Sequence, residues 1–211
     1  MDNEFERIKR LPPYVFSEVN SLKAKLRSSG KDIIDFGMGN PDMPTPEHIR
    51  KKLQETVDKP GTGRYSSSKG ILGLRKAQSK YYKRRFNVNL DPDSEIIVTL
   101  GSKEGLANLA QAITSPGDII LTPNPSYPIH PYGFIIAGAS LRHITAMDDG
   151  FFNQELFLEK LDRSIRHSVP SPKAIIVSFP SNPTAQIVDL GFYEEDTYVI
   201  NNGRVVNLTK V

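Results

Sequence analysis

The sequence predicts an α/β fold built on a mainly parallel sheet, and two observations predict it. Residues 95–100, 118–122 and 174–179 are short apolar runs rich in β-branched residues that do not alternate with polar ones. Strands covered on both faces have this character, and such strands usually belong to parallel sheets. Around the runs lie stretches with the 3.6-residue period of helices, and strands alternating with helices imply a doubly wound layout. A length of 211 residues suits one domain, or one and a half, at about 100–200 residues each.

Taken in order, residues 1–45 read as an N-terminal arm. Residues 14–27 form an amphipathic helix with Val15, Val19, Leu22 and Leu26 on one stripe, and Pro12 and Pro13 stand just ahead of it, where proline is tolerated. A short strand at 32–36 leads into a turn-dense loop at 37–46. Residues 46–194 then carry the strand and helix rhythm. Helices are expected at 70–86, with Leu72, Leu74, Tyr81 and Tyr82, and at 102–114, with Leu106, Leu109, Ala110 and Ile113 on one face. A third is expected at 152–165, with Leu156, Leu158, Leu161 and Ile165. The last stretch, 195–211, changes style. Residues 197–200 and 204–208 read as two strands joined by a turn at Asn202-Gly203, a pair that readily supplies positive φ angles.

Composition narrows the function classes. Apolar residues make up 38% and charged residues 24%, with 8 Tyr and 10 Phe, which excludes a disordered chain. There is no cysteine, so no disulfide, thiolate nucleophile or Cys-ligated metal. The net charge is only +3. The basic cluster at 80–85, interleaved with Tyr81 and Tyr82, has the ingredients of a nucleic-acid surface. The better reading is a helix C-terminus, where positive charge complements the macrodipole, so no nucleic-acid partner is expected. No apolar run approaches the ~18 residues of a membrane span. The first residues are acidic and lack a signal-peptide core. A cytoplasmic protein is expected.

Ligands in α/β sheets collect beyond the carboxyl ends of the strands, so the loops after the apolar runs are the candidate sites. Gly101-Ser102-Lys103 opens a helix, and a glycine turn at a helix N-terminus suits phosphate, although many such turns only cap the helix. The spacing of a nucleotide P-loop is absent, and Gly37 and Gly39 lack the third glycine of a dinucleotide fingerprint. In residues 123–128 three prolines stiffen a loop that presents Tyr127, whose ring can stack on a planar ligand or pack under the loop. In residues 180–184 Asn182 is placed either to hydrogen-bond a ligand or to form an Asx turn.

Together these motifs resemble the class I/II, fold-type I, pyridoxal-phosphate-dependent aminotransferases, nearest the bacterial alanine, aspartate and LL-diaminopimelate branch. The resemblance rests on residues 7–16, 35–42 with Thr45-Pro46, Tyr65 with Gly70 and Leu74-Arg75, 98–103, 123–128 and 181–184, in order across about residues 5–194. It implies an α-β-α large domain, incomplete here, and a homodimer. It also implies amino transfer from an amino acid, alanine first, to a 2-oxo acid such as 2-oxoglutarate. Ser102 and Lys103 would hold the cofactor phosphate, Tyr127 would stack on its ring and Asn182 would bond the ring hydroxyl. Tyr65 would serve the phosphate of a neighbouring subunit, while Gly39 and Tyr14 would meet the substrate carboxylate.

The resemblance also requires a Schiff-base lysine, an Asp at the ring nitrogen and an Arg for the substrate, all beyond the matched stretch. Lys103 belongs to the phosphate loop, and Lys69 lies in the segment of Tyr65, so neither is assigned that role. No catalytic residue is therefore assigned, and the expectation is a truncated aminotransferase, inactive alone. Aspartate and LL-diaminopimelate remain alternative substrates. Two other readings remain: a phosphate-ester enzyme using the same half-site, and a non-catalytic module associating with a full-length subunit.

Overall fold

Every residue of the strand β1 (Ile119–Pro123) up to Thr122 is buried, and successive side chains enter different layers. The structure is a computed structural model that describes residues 5–37, 39 and 41–193. β1 is the middle strand of a parallel sheet of order β2-β1-β5, with β2 at Ser140–Ile144 and β5 at Ala174–Ile175. Ile119 pairs with Ser140 and Thr122 with His143 on one side, and Ile120 pairs with Ala174 on the other.

The pleat sends Ile119 and Leu121 to one face and Ile120 to the other. On the first face they pack with Ile144, Ala146, Phe157, Leu161 and Phe192. Phe157 and Leu161 come from helix α7 (Gln154–Arg166), whose N-cap Asn153 accepts the Leu156 N–H at 2.9 Å. On the second face Ile120 packs with Ala110, Phe134, Ala137, Ala139 and Ile176. Ala110 belongs to helix α5 (Ser102–Ile113), and Phe134 and Ala137 belong to helix α6 (Ile129–Ala137). This is the helix–sheet–helix layering that the unbroken apolar run predicted.

Two compact units are distinguished. One consists of Met1–Pro12 with Thr99–Val211, and the other is Pro13–Val98. The first holds the sheet and a short helix α1 (Glu6–Lys9), and after that helix Arg10 donates to the Ala139 carbonyl at 3.0 Å. It also holds a two-stranded antiparallel hairpin, β3 (Met147–Asp148) with β4 (Phe151–Phe152). The second unit holds α2 (Val15–Ser28), α3 (Glu47–Val57) and α4 (Leu72–Phe86).

The helices expected at 14–27, 70–86, 102–114 and 152–165 are present as α2, α4, α5 and α7. The strand expected at 95–100 is corrected. It forms no ladder among the described residues, Val98 N–H goes to the Lys69 carbonyl at 3.1 Å, and Leu100 is 92% exposed. The strand expected at 32–36 is also corrected. That segment makes no ladder, Ile34 and Phe36 are exposed, and Asp35 is held instead by Lys23 and the Gly37 N–H, each at 2.9 Å. A β-branched run sets strand propensity, but a ladder requires a neighbour with matching donors and acceptors. The run at 174–179 pairs only over its first two residues. Helices α3 and α6 had not been anticipated. α6 contains Pro131 and Gly133, which mask its period, yet Pro131 stands in the first turn, where no intrahelical N–H is lost. The hairpin expected around Asn202-Gly203 lies outside the described residues.

Within the Pro13–Val98 unit, Arg75 ties the chain together. Its side chain donates to the carbonyls of Gly70 and Pro92, the first at 3.2 Å, and pairs with Asp93 at 3.0 Å. Gly70 has φ +83, and a Cβ there would lie 2.3 Å from Val98 Cγ2. Gly70→Ala is expected to cost about 2–5 kcal/mol through left-handed strain and overpacking. Gly73→Ala, in open space on α4, is expected to add up to about 1 kcal/mol. Urea unfolding of both variants checks the contrast.

Asp118 precedes β1 and accepts the Ser115 N–H at 2.8 Å and Lys173 Nζ at 3.1 Å, and these bonds hold its carboxyl below the ordinary value of 3.8. A depressed folded pKa gives stability that is present above the unfolded value and lost as pH falls through the folded one. Wild type is therefore expected to exceed Asp118→Asn in stability at pH 5–7 and to lose that margin below about pH 4. Denaturant melts across this range measure it.

Candidate functional site

The site lies where the described sheet ends. β1 leaves at Pro123 into the loop of Asn124, Pro125, Ser126 and Tyr127, and the Asn124 N–H is held by the Ile144 carbonyl at the end of β2 at 3.1 Å. Tyr127 stands at the entry to α6, where its carbonyl accepts the His130 N–H at 2.9 Å. The stretch after β5 closes into its own turn. Ser181 N–H donates to the Gln186 carbonyl at 2.8 Å, and Ala185 N–H to the Ser181 carbonyl at 2.7 Å. Gln186 Nε2 reaches the Gly150 carbonyl at 3.2 Å, which fastens this turn beside the β3–β4 hairpin.

These two loops face each other across a shallow cleft. Tyr127 and His130 line it from the β1 side, and Ser181, Asn182 and Thr184 line it from the β5 side. Phe152 and Phe179 also line it. Their ring centroids are 4.9 Å apart; Phe152 packs on the buried Phe157 and Phe192, and Phe179 meets Phe192 edge-on. The polar loops thus rest on an aromatic cluster shared with the core, which fixes the wall that the cleft is cut into.

The third element is the start of α5. Gly101 has φ +89, and nothing lies within 4 Å of the position a Cβ would take. The first bond of the helix runs from the Gly105 N–H to the Gly101 carbonyl at 3.3 Å. The amides of the first turn therefore have no carbonyl partner inside the helix. Glu104 reaches back to accept the Leu100 N–H, and Thr99 Oγ1 donates to the Gly101 carbonyl at 3.0 Å. Those bonds hold the turn before any ligand arrives. Lys103 Nζ stands 5.3 Å from the centroid of the Tyr127 ring. That contact connects the helix start to the cleft wall.

Of the sequence-derived candidates, Ser102, Lys103, Tyr127 and Asn182 all belong to the unit that contains the sheet. Tyr14, Gly39 and Tyr65 belong to the Pro13–Val98 unit. There Tyr14 packs its ring on Phe16 at 5.5 Å, while Gly39 and Tyr65 are exposed, Tyr65 fully so. Lys69 Nζ donates to the Asp93 carbonyl at 3.3 Å, a structural use of the residue. His130 is the cleft residue that sequence reasoning missed. Its signal was the proline at 128, which starts α6 and places position 130 on the first turn beside Tyr127.

The groups present fit a phosphorylated aromatic ligand. They offer backbone donors at an open helix start for an anion, a ring held by neighbours for stacking, and a carboxamide set in a tight turn on the opposite wall. Among the described residues no His, Asp or Glu cluster suits a metal ion, and no helix is long and apolar enough to cross a membrane.

Comparison with known proteins places the chain in a family. The sequence profile of the Aminotransferase class I and II family matches residues 31–203. The chain is 52% identical to the glutamate-pyruvate aminotransferase AlaC of Escherichia coli over 195 residues, which is 92% of this chain and 46% of that protein. It is 36% identical to the LL-diaminopimelate aminotransferase of Dehalococcoides mccartyi, over 90% of this chain and 48% of that one. The solved structure of an aspartate aminotransferase mutant from Thermus thermophilus superposes with a TM-score of 0.84 at 26% identity, over 97% of this chain and 52% of that one. The chain spans about half the length of the curated relatives it matches.

Glu104 generates a structural prediction for the α5 turn. Glu104→Ala is expected to cost about 0.5–2 kcal/mol, the usual value of a helix-start side-chain bond, whereas Glu104→Gln keeps an acceptor for Leu100 and loses less. Thermal or urea melts rank the two.

Proposed function

We propose, starting from the fact that this chain belongs to the class I and II aminotransferases, that it carries part of a pyridoxal phosphate site for amino transfer between an amino acid and a 2-oxo acid. The observation that carries the reading is that Tyr127 and Asn182 line one cleft, while Lys103 at the start of α5 reaches the Tyr127 ring. Alanine is the first choice of amino acid, with 2-oxoglutarate as the acceptor of its amino group. The higher identity to the glutamate-pyruvate enzyme than to the LL-diaminopimelate enzyme supports that choice.

When bound, pyridoxal phosphate supplies an electron sink that makes the Cα proton of an amino acid removable. The backbone N–H groups of Ser102 and Lys103 would bind its phosphate, aided by the positive end of α5. Tyr127 would lie against the ring and fix its tilt, and the Asn182 carboxamide would hold the ring hydroxyl, so that the ring keeps one orientation in the cleft. Phe152 and Phe179 would give the adjoining wall an apolar surface. Gly39, through its N–H, and Tyr14 would receive the substrate carboxylate. Tyr65 would serve the phosphate of a neighbouring subunit in a homodimer, and its full exposure suits a residue acting outside its own chain. None of the residues matched here is assigned to attach the cofactor or to move the Cα proton.

The strength of such a partial site can be bounded. A helix start is worth about 0.3–2 kcal/mol toward an anion, stacking about 0.5–1.5, and a hydrogen bond to a charged group about 1.5–3. The total of about 2–6.5 kcal/mol corresponds to a dissociation constant on the order of 0.02 mM at best, and on the order of millimolar at the centre of the range. The 211-residue polypeptide is therefore expected to bind pyridoxal phosphate weakly and reversibly, and to transaminate alanine with 2-oxoglutarate at no measurable rate. Absorbance titration, borohydride treatment and a coupled assay check this. Submicromolar binding, a reducible visible band or turnover would contradict it.

A further inference from the structure

We propose that Lys103 is the positioning residue for the Tyr127 ring, its ammonium group setting the plane in which that ring meets a ligand in the cleft. The inference rests on the pyridoxal phosphate reading and adds to it a side-chain role, separate from the backbone N–H role of the same residue.

The backbone at Tyr127 is already constrained. Pro125 and Pro128 fix two neighbouring φ angles, and the Tyr127 carbonyl is engaged by the His130 N–H at 2.9 Å. Rotation of the side chain about its own bonds remains to be fixed, and His130 and Lys103 both act on it. The His130 ring meets it edge-on, with centroids 5.8 Å apart and planes at 80°. Lys103 Nζ stands over the ring at 5.3 Å from the centroid, within the distance at which a cation is drawn to an aromatic face. Of these two contacts, only the one from Lys103 comes from another element.

Lys103 is well placed to set an orientation because its own backbone is fixed. It is the second residue of α5, and the turn before it is braced by Glu104 on the Leu100 N–H and by Thr99 on Gly101. One residue thus spans both poles of the proposed site, with its amide at the anion-binding helix start and its ammonium on the ring that would stack. With Lys103 neutralised, His130 remains on the edge of the ring, and the face loses its cation.

A direct attraction between the Lys103 charge and the ligand phosphate is the competing explanation for any loss on substitution, and a double-mutant cycle separates the two. The 211-residue chain is titrated with pyridoxal phosphate and, separately, with inorganic phosphate, as wild type, Lys103→Met, Lys103→Arg, Tyr127→Leu and the Lys103→Met/Tyr127→Leu double variant. Lys103→Met is expected to weaken pyridoxal phosphate about two- to fivefold, the size of an exposed cation–π contact. Lys103→Arg should recover most of the affinity, and Lys103→Met should have no further effect once Tyr127 is leucine. An equal loss in both backgrounds, or an equal loss for inorganic phosphate, would place the charge on the phosphate and overturn the proposal.

A readout without ligand keeps the two readings apart. In chain labelled with fluorotyrosine, the Tyr127 resonance, assigned by its disappearance in Tyr127→Phe, is expected to shift in Lys103→Met and to return toward its wild-type position in Lys103→Arg. An unmoved resonance overturns the positioning role whatever the cofactor does. Absence of pyridoxal phosphate binding to wild type, with the resonance moving as expected, overturns the cofactor reading alone.

Discussion

The burial of β1 on both faces is the constraint from which the rest of the sheet-containing unit follows. A strand at 119–122 with no exposed side chain needs a parallel neighbour on each edge and a helical layer above and below. Ile120 draws in α5 and α6, while Ile119 and Leu121 draw in α7. Once those helices are placed, the loops at the carboxyl ends of β1 and β5 have little freedom. They emerge side by side, and the helix start of α5 is held next to one of them. The cleft is thus a geometric consequence of how one strand is covered.

The aromatic cluster joins stability to the site. Phe157 and Phe192 are fully buried, and Phe152 and Phe179 extend the same stack to the cleft wall. Polar residues of the cleft sit on the turns that this stack supports: Tyr127 before α6 and Asn182 in the turn closed by Ser181, Ala185 and Gln186. Rigid apolar packing beneath polar groups held in tight turns is the arrangement that lets a site hold orientation at low reorganisation cost.

Much of this was legible in the sequence, for definite reasons. The runs at 118–122 and 174–179 announced buried parallel strands because they lack alternation, and the leucine spacing of α5 and α7 announced their inward faces. Ser102, Tyr127 and Asn182 are found from the loops after apolar runs and Lys103 from the family resemblance, and all four belong to one unit. What was not legible depended on partners. The run at 95–100 has strand composition, yet its ladder depends on backbone groups alongside it, which no local pattern encodes. The segment at 32–36 looks like a strand because of Ile33 and Ile34, yet the bonds that hold it are made by the Asp35 side chain, which accepts from the Gly37 N–H and from Lys23. His130 and α6 were hidden by Pro131 and Gly133, residues that obscure helical periodicity even where the first turn accommodates them.

The central claim is that the α5 start, Tyr127 and Asn182 act on one ligand together. Nuclear magnetic resonance of the isotopically labelled 211-residue chain with excess pyridoxal phosphate tests it most directly. The account predicts ligand-induced shifts at the Ser102 and Lys103 amides, together with intermolecular Overhauser contacts from the ligand ring to the Tyr127 ring and the Asn182 carboxamide. Contacts to Tyr127 and Asn182 without movement of the α5 amides, or shifts confined to other surfaces, would contradict it.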